Sequence, residues 1–214
     1  MHQSATSHGR FGVTIPREDV CGIVLAGGMG RRMGSIDKGL VDLDGRPMVA
    51  HVVARLAPQV GSLIINANQN HDRYAAFGYH VVPDTVSGFA GPLAGLHAGM
   101  AHTAHPYVVT VPCDSPFLPI DLVARLADGI EREQAELAVA KTYAQPHPVF
   151  ALVRRDVLSH LAAFLERGGR KIDAWYGTLR VVEVAFDDEE PAFRNINTAA
   201  ELAAATTLGG ASER

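Results

Sequence analysis

An apolar run, Cys21 to Ala26, empties into a loop containing Gly27, Gly28 and Gly30, then Arg31, Arg32 and Gly34, and closing on Asp37 and Lys38. Backbone N–H groups approach phosphate oxygens closely only where Cβ atoms are missing, so a strand running into glycines and cations suits a polyphosphate. Lys38 would bring such a ligand a point charge, and Arg32 a planar fork. The ordinary alternative is a tight connection with solvated arginines. Neither common phosphate template fits. A G-x-G-x-x-G pattern requires Met33 to stand for a glycine, and Lys38 follows Asp37 rather than the glycine of the Walker pattern.

A second cluster closes another apolar run, where Tyr107 to Pro112 lead into Cys113, Asp114, Ser115 and Pro116. A carboxylate at the tip of a central strand suits Mg²⁺, a hard cation that keeps its other positions for water and phosphate. The alternative is that Asp114 caps the turn before the next helix. Between the two clusters, Asn66 and Asn68 end one strand-like run and Asp84 ends another, with Gly88, Gly91 and Gly95 following. Asn and Asp at strand tips can hold a ribose or read a base edge, and the same residues also serve ordinary loops.

The elements that must carry these residues alternate. Strand-like runs at Cys21–Gly28, Ser62–Asn68, Tyr79–Asp84 and Tyr107–Asp114 are interleaved with helical patterns at Pro47–Ala57, Pro92–Thr103 and Pro119–Glu131. That alternation predicts βαβ units and a mostly parallel sheet covered on both faces by helices, with ligands gathered at the carboxyl ends of the strands. Pro47 and Pro92 stand where helices start, a position at which a missing N–H costs nothing. After about residue 135 the pattern changes. Glu136–Thr142, His147–Arg154 and Leu179–Phe186 read as strands, partly antiparallel, Asp156–Gly168 as a helix, and Thr198–Thr206 as a closing helix capped by Thr198. The expected organisation is a flexible segment 1–18, one domain over 19–205 and a flexible tail 206–214. Within the domain, 19–135 forms one half, and 136–205 completes the sheet and covers its ligand edge.

Composition narrows the function. The chain has 214 residues, 47% of them hydrophobic, and a formal net charge of −4, which argues against nucleic acid or an anionic membrane as a partner. No apolar run is long enough to span a bilayer, and the first residues lack the apolar core of a secretory signal. Cys21 and Cys113 lie in or beside apolar strands and read as reduced, buried thiols of a cytoplasmic protein.

Taken in order, Leu25–Leu40, Asn66–Asn68, Pro83–Asp84, Gly91–Leu96, Pro112–Phe117, His147–Leu152, Arg167–Lys171 and Asn195–Thr198 resemble the molybdenum cofactor guanylyltransferases, which join GMP to molybdopterin. The resemblance runs from about Cys21 to Leu202. It implies an α/β, Rossmann-like nucleotidyltransferase fold: a mostly parallel sheet with helices on both faces and an antiparallel edge. It also implies GTP contacts by Leu25, Ala26, Gly27, Gly28, Lys38, Asn66, Asp84 and Asp114, Mg²⁺ on Asp114, and Arg32 over the phosphates. Arg32, Lys38 and Asp114 would then stabilise the charge of the transfer, while Arg170, Lys171, Asn195 and Asn197 would face the pterin. His147 and Pro148 would at most lie beside the site. Transient contacts with other cofactor-biosynthesis proteins and with recipient apo-enzymes are implied as well. Relatives that transfer CMP tend to carry Ala-Ala-Gly where this chain has Leu25-Ala26-Gly27 and Gly-Asp-Met-Pro around the carboxylate, so both local readings favour GTP. Cytidylyl transfer, another nucleotidyl transfer and a non-catalytic cofactor carrier remain the alternatives. A dehydrogenase is disfavoured, because the second strand ends in Asn66-Ala67-Asn68 without the acidic residue a dinucleotide fold places there.

Overall fold

The structure, a computed structural model, describes residues 15–27, 37–86, 91–196 and 201. Its elements run in the order β1 (Val20–Leu25), β2 (Asp42–Leu43), β3 (Arg46–Pro47), α1 (Met48–Leu56), β4 (Ser62–Asn66), α2 (His71–Ala75) and β5 (His80–Val82). There follow α3 (Pro92–Ala101), β6 (Tyr107–Pro112), α4 (Leu122–Glu133), β7 (Leu137–Thr142), β8 (Gln145–Arg154), α5 (Leu158–Glu166), α6 (Ile172–Tyr176) and β9 (Val181–Ala185). The expected closing helix lies outside the described residues, except for Glu201.

Seven strands form one sheet in the order β5-β4-β1-β6-β8-β7-β9. β5, β4, β1 and β6 pair in parallel, β8 runs against both β6 and β7, and β9 returns parallel to β7. The antiparallel pairing is thus confined to the side of the sheet built by the second half of the chain. β1 is central to the parallel part. From it the chain moves outward to β4 and β5, then crosses back to β6 on the other flank. That reversal opens a crevice outside the carboxyl ends of β1 and β6, the place where open α/β sheets take ligands.

Strand alternation divides the interior into two cores. Val20 and Val24 of β1 face α1 and α4, together with Leu63 and Ile65 of β4 and Val109 and Val111 of β6. Cys21 and Ile23 face α3, α5 and α6. α1 meets the sheet with Val49, Val52, Val53 and Leu56, an i, i+3, i+4, i+7 stripe, and α4 does so with Leu122, Val123, Leu126, Ala127 and Ile130. α3 is apolar nearly all round and carries two glycines one turn apart, because it lies almost on the strands. A Cβ at Gly99 would stand 2.0 Å from Ile23 Cδ1, and one at Gly95 would stand 2.3 Å from Asn66 Oδ1. Its amino end is set by Gly91, whose φ of 64° lies in the left-handed region that glycine tolerates best.

Short elements with no periodic signal complete the frame. β2 and β3 form a hairpin through Asp44-Gly45, both at positive φ, as a type I′ turn requires. α2 and α6 have five residues each. Cys21 and Cys113 are free and buried.

Candidate active site

The crevice between β1 and β6 collects residues from distant parts of the chain. Pairing of Leu25 with Pro112 sets the two strand ends side by side, and Cys113 N donates to Leu25 O at 3.1 Å. Beyond these ends, Lys38 Nζ lies 3.3 Å from Asp114 Oδ2. The Lys38 side chain is 26% exposed and that of Asp114 11%, so the pair opens to solvent on the lysine side. The turn after β6 also holds the returning chain of the second half: Ile196 N donates to Asp114 O at 2.9 Å, and Ser115 Oγ donates to Asn195 Oδ1 at 2.7 Å. Asp114 thus directs its carboxylate to Lys38 while its carbonyl anchors the returning chain.

The tips of β4 and β5 form a second cluster on the other side of β1. Asn66, almost wholly buried, donates through Nδ2 to Val82 O at 3.2 Å and to Asp84 Oδ1 at 2.9 Å. Asn68 donates to Asp84 Oδ2 at 2.8 Å, accepts from Asp84 N at 2.8 Å and reaches Gly27 O at 3.4 Å. Gly27 lets these amides come close, since a Cβ there would lie 2.9 Å from Asn68 Nδ2 and 3.2 Å from Asn66 Oδ1 and would push them aside. Asn68 therefore links the end of β1 to the end of β5.

Of the residues singled out in the sequence, Leu25, Ala26, Gly27, Lys38, Asn66, Asp84 and Asp114 all lie along this edge. Asn195 is brought to Ser115, beside Asp114. Arg170 and Lys171 lie at the α5–α6 junction, where Arg170 Nη1 donates to the carbonyls of Leu165 at 2.8 Å and Gly169 at 2.7 Å and so caps α5. Among the described residues, neither hydrogen-bonds or ion-pairs with Lys38 or Asp114. Gly28, Arg32 and Asn197 fall outside the described residues. His147 stacks on Phe193 with ring centroids 4.6 Å apart and shares a 2.7 Å hydrogen bond with Thr142 Oγ1. Burial holds its pKa below the ordinary histidine value, opposed by Glu190. Sequence reading gave no role to Tyr74 or Asn70, which hold Asp37 from α2. Their stretch is too short and polar to carry a signal.

Two groups near the site are kept out of its chemistry. Cys113 lies beside Asp114, but burial, reinforced by the carboxylates of Asp114 and Asp37, pushes its thiol well above the usual range. A thiol held so strongly protonated is a poor nucleophile at neutral pH. Burial also raises the Tyr74 hydroxyl, with Cys113 and Asp37 adding to the effect, so it remains a donor. Among the described residues no group of three or more His, Cys, Asp or Glu side chains is arranged to hold a metal. A single carboxylate at a strand tip, shared with Lys38 at 3.3 Å, still fits Mg²⁺, which takes one or two protein oxygens and completes its shell with phosphate and water.

Residues 22–181 match the MobA-like NTP transferase domain. The chain belongs to this family. A molybdenum cofactor guanylyltransferase of Cupriavidus taiwanensis is 54% identical over 195 residues, spanning 89% of this chain and 98% of that protein. Its counterpart in Cupriavidus necator is 54% identical over 193 residues, spanning 88% and 96%. Among solved structures, molybdopterin-guanine dinucleotide biosynthesis protein A of Archaeoglobus fulgidus superposes with a TM-score of 0.74 at 25% identity, covering 89% of this chain and 99% of that one. A CMP:2-keto-3-deoxy-manno-octonic acid synthetase solved with CTP shares the fold at a TM-score of 0.66 and 16% identity, over 90% of this chain and 98% of that one. The matched residues take in most of the sheet, from Gly22 in β1 to Val181 at the start of β9, with the antiparallel strands β7 and β8 included.

Proposed function

We propose that this chain transfers GMP from GTP to the terminal phosphate of molybdopterin, forming the guanine dinucleotide cofactor and releasing pyrophosphate. The observation that carries this reading is the Lys38–Asp114 pair at the crevice between β1 and β6, with the Asn66–Asp84–Asn68 cluster one strand away. The spacing suits a nucleoside triphosphate lying across β1, with its phosphates toward Lys38 and its nucleoside toward Asp84. An oxygen of the molybdopterin phosphate bonds to the α-phosphorus of GTP, the bond from that phosphorus to the bridging oxygen breaks, and pyrophosphate leaves with the electron pair. The nucleophile is already an anion, so no general base is needed. The protein's task is to bring two anions together and to stabilise the charge that develops on the α-phosphate and the leaving group.

Lys38 contributes a cation to that charge, and Gly27 and Gly28 contribute backbone N–H groups without Cβ obstruction. Arg32 would add a guanidinium over the phosphates, as the family resemblance implies. Asp114 would hold Mg²⁺, which when bound screens the phosphate oxygens and withdraws charge from the reacting phosphorus. Leu25 and Ala26 line the end of β1 beneath the nucleotide, and Asn66 and Asp84 receive the nucleoside. By the same resemblance, Asn195 and Asn197, with Arg170 and Lys171, would face the pterin. The relatives' activity and the two free, buried thiols fit a cytoplasmic enzyme that meets other cofactor-biosynthesis proteins and recipient apo-enzymes transiently.

The test is pyrophosphate release with Mg²⁺ and molybdopterin, run in parallel with GTP, CTP and ATP on the intact protein and on Asp114→Ala. Release is expected with GTP alone, falling by at least about a hundredfold in the variant, as when a charge-stabilising group is removed from a transferase. Release with CTP would overturn the base. Nucleotide binding without any release would make the protein a carrier.

A further inference from the structure

The loop that delivers Lys38 is fastened at its neighbour, and α2 provides the fastening. Tyr74 is fully buried, and its hydroxyl donates to Asp37 Oδ1 at 2.5 Å. Asn70, just before α2, donates through Nδ2 to Asp37 Oδ2 at 2.9 Å. Asn70 takes a left-handed backbone with φ 53°, which asparagine tolerates better than most residues, and its carbonyl accepts Tyr74 N at 3.1 Å. Both donors are therefore fixed to one turn of helix, and both carboxylate oxygens of Asp37 are engaged by it.

The chain leaving Lys38 is confined as tightly. A Cβ at Gly39 would lie 2.5 Å from the Tyr74 hydroxyl and 3.3 Å from Cys113 Cβ and Sγ, so Gly39 passes between α2 and the turn that carries Asp114. Lys38 projects from a backbone held on both sides. One hold is Asp37 against Tyr74, and the other is Gly39 against Tyr74 and Cys113.

We propose that Tyr74 is a positioning residue for Lys38: by holding Asp37 and packing against Gly39, it fixes the backbone from which Lys38 reaches Asp114 and the phosphates. Tyr74 touches no substrate and acts only through Lys38. Asp37 is accordingly the anchor of the loop, committed to α2 rather than to a ligand. The proposal rests on the assignment of Lys38 to the triphosphate, so its test has one arm that uses no nucleotide.

In the first arm, GTP binding with Mg²⁺ is measured by calorimetry on the full chain, on Tyr74→Phe, on Lys38→Ala and on the double variant. Loss of a hydrogen bond to a charged group that fixes a binding residue is expected to weaken GTP about tenfold in Tyr74→Phe. In the Lys38→Ala background the same change is expected to alter affinity by less than about twofold, since a residue acting through another has nothing left to act on. In the second arm, the chain's lysines, Lys38, Lys141 and Lys171, are ¹³C-dimethylated and followed by NMR, the Lys38 signal being the one absent from Lys38→Ala. Tyr74→Phe is expected to move that signal and leave the other two in place. An equal loss of affinity in both backgrounds, or an unmoved Lys38 signal, would show that Tyr74 only stabilises the fold and would overturn the proposal. If the intact protein bound no GTP, the functional reading would fail, and the Lys38 signal would still decide the role of Tyr74. Should Tyr74→Phe not fold, Asn70→Ala releases the other Asp37 oxygen from an exposed position and is expected to move the same signal.

Discussion

The Asn68 amide gives its donor and its acceptor to Asp84 and also reaches the Gly27 carbonyl, so one exposed side chain holds together the ends of β1 and β5. Its removal leaves Asp84 with the Asn66 amide alone and frees the chain at Gly27 from the tip of β5. Asn68→Ala is expected to raise the KM for GTP by about tenfold or more, the usual scale for losing a hydrogen bond to a carboxylate, with kcat less affected. Steady-state pyrophosphate release at varied GTP checks this split. A fall in kcat with KM unchanged would place Asn68 at the phosphates instead of the nucleoside. Asn68 and Asp84 stand out in the sequence as strand-tip residues, but the link between them does not, because it depends on where two loops cross in space.

α3 shows how one element carries a stability role and a site role on the same face. Gly99 lies against Ile23 and Gly95 against Asn66, four residues apart and therefore one above the other on the helix. In Gly99→Ala the new methyl meets a fully buried isoleucine from the second core, and α3 must lift from β1. Overpacking of this kind costs about 1–3 kcal/mol, partly offset by about 1 kcal/mol of helix propensity gained when glycine becomes alanine. Its thermal midpoint is expected to fall by several degrees, while GTP affinity in the folded fraction stays near that of the parent chain. Gly95→Ala instead pushes the Asn66 amide off Asp84, so GTP affinity is expected to drop more than the midpoint does. Calorimetric melting beside GTP titration separates the two, and a Gly95→Ala protein with normal GTP affinity would remove Asn66 from the nucleoside side. The sequence shows both glycines in a helical pattern. Their targets are visible only when α3 is seated on β1 and β4.

At the scale of the molecule, two half-buried histidines tie stability to pH. Burial lowers the pKa of His147, against the opposing pull of Glu190, and likewise that of His97, against Glu166. The unfolded chain, with histidines near about 6.5, binds protons at a higher pH than the folded chain does. Stability should therefore rise with pH between the lowered folded values and about 6.5, and it should be lost progressively as pH falls through that window. Urea unfolding from pH 5 to pH 8 is expected to show this slope, and His147→Gln should flatten it in part while leaving the Thr142 hydroxyl an amide to bond. A slope unchanged in the variant would assign the effect to His97 and the carboxylates. His147 stacks on Phe193 and meets Phe150 edge-on, so its charge would be exposed to an aromatic cluster that joins β8 to the returning chain.

The sequence by itself determined the longer strands and helices of the first half and the residues at their ends, though not the β2–β3 hairpin or α2. Those features are local, set by apolar runs, helix-start prolines and glycines read one stretch at a time. It likewise marked Lys38 by its place after a glycine-rich loop, and Asn66, Asp84 and Asp114 because their types are unusual at the ends of apolar strands. Tertiary structure alone decided that β8 inserts between β6 and β7, since a strand's partner is chosen by packing across the whole sheet and not by its own residues. It alone revealed Tyr74 and Asn70 behind Asp37, and the use of Arg170 as a cap for α5. The pairing of Lys38 with Asp114 spans 76 positions of chain. No local pattern encodes such a contact; it arises when β1 and β6 lie side by side and their carboxyl ends share one crevice.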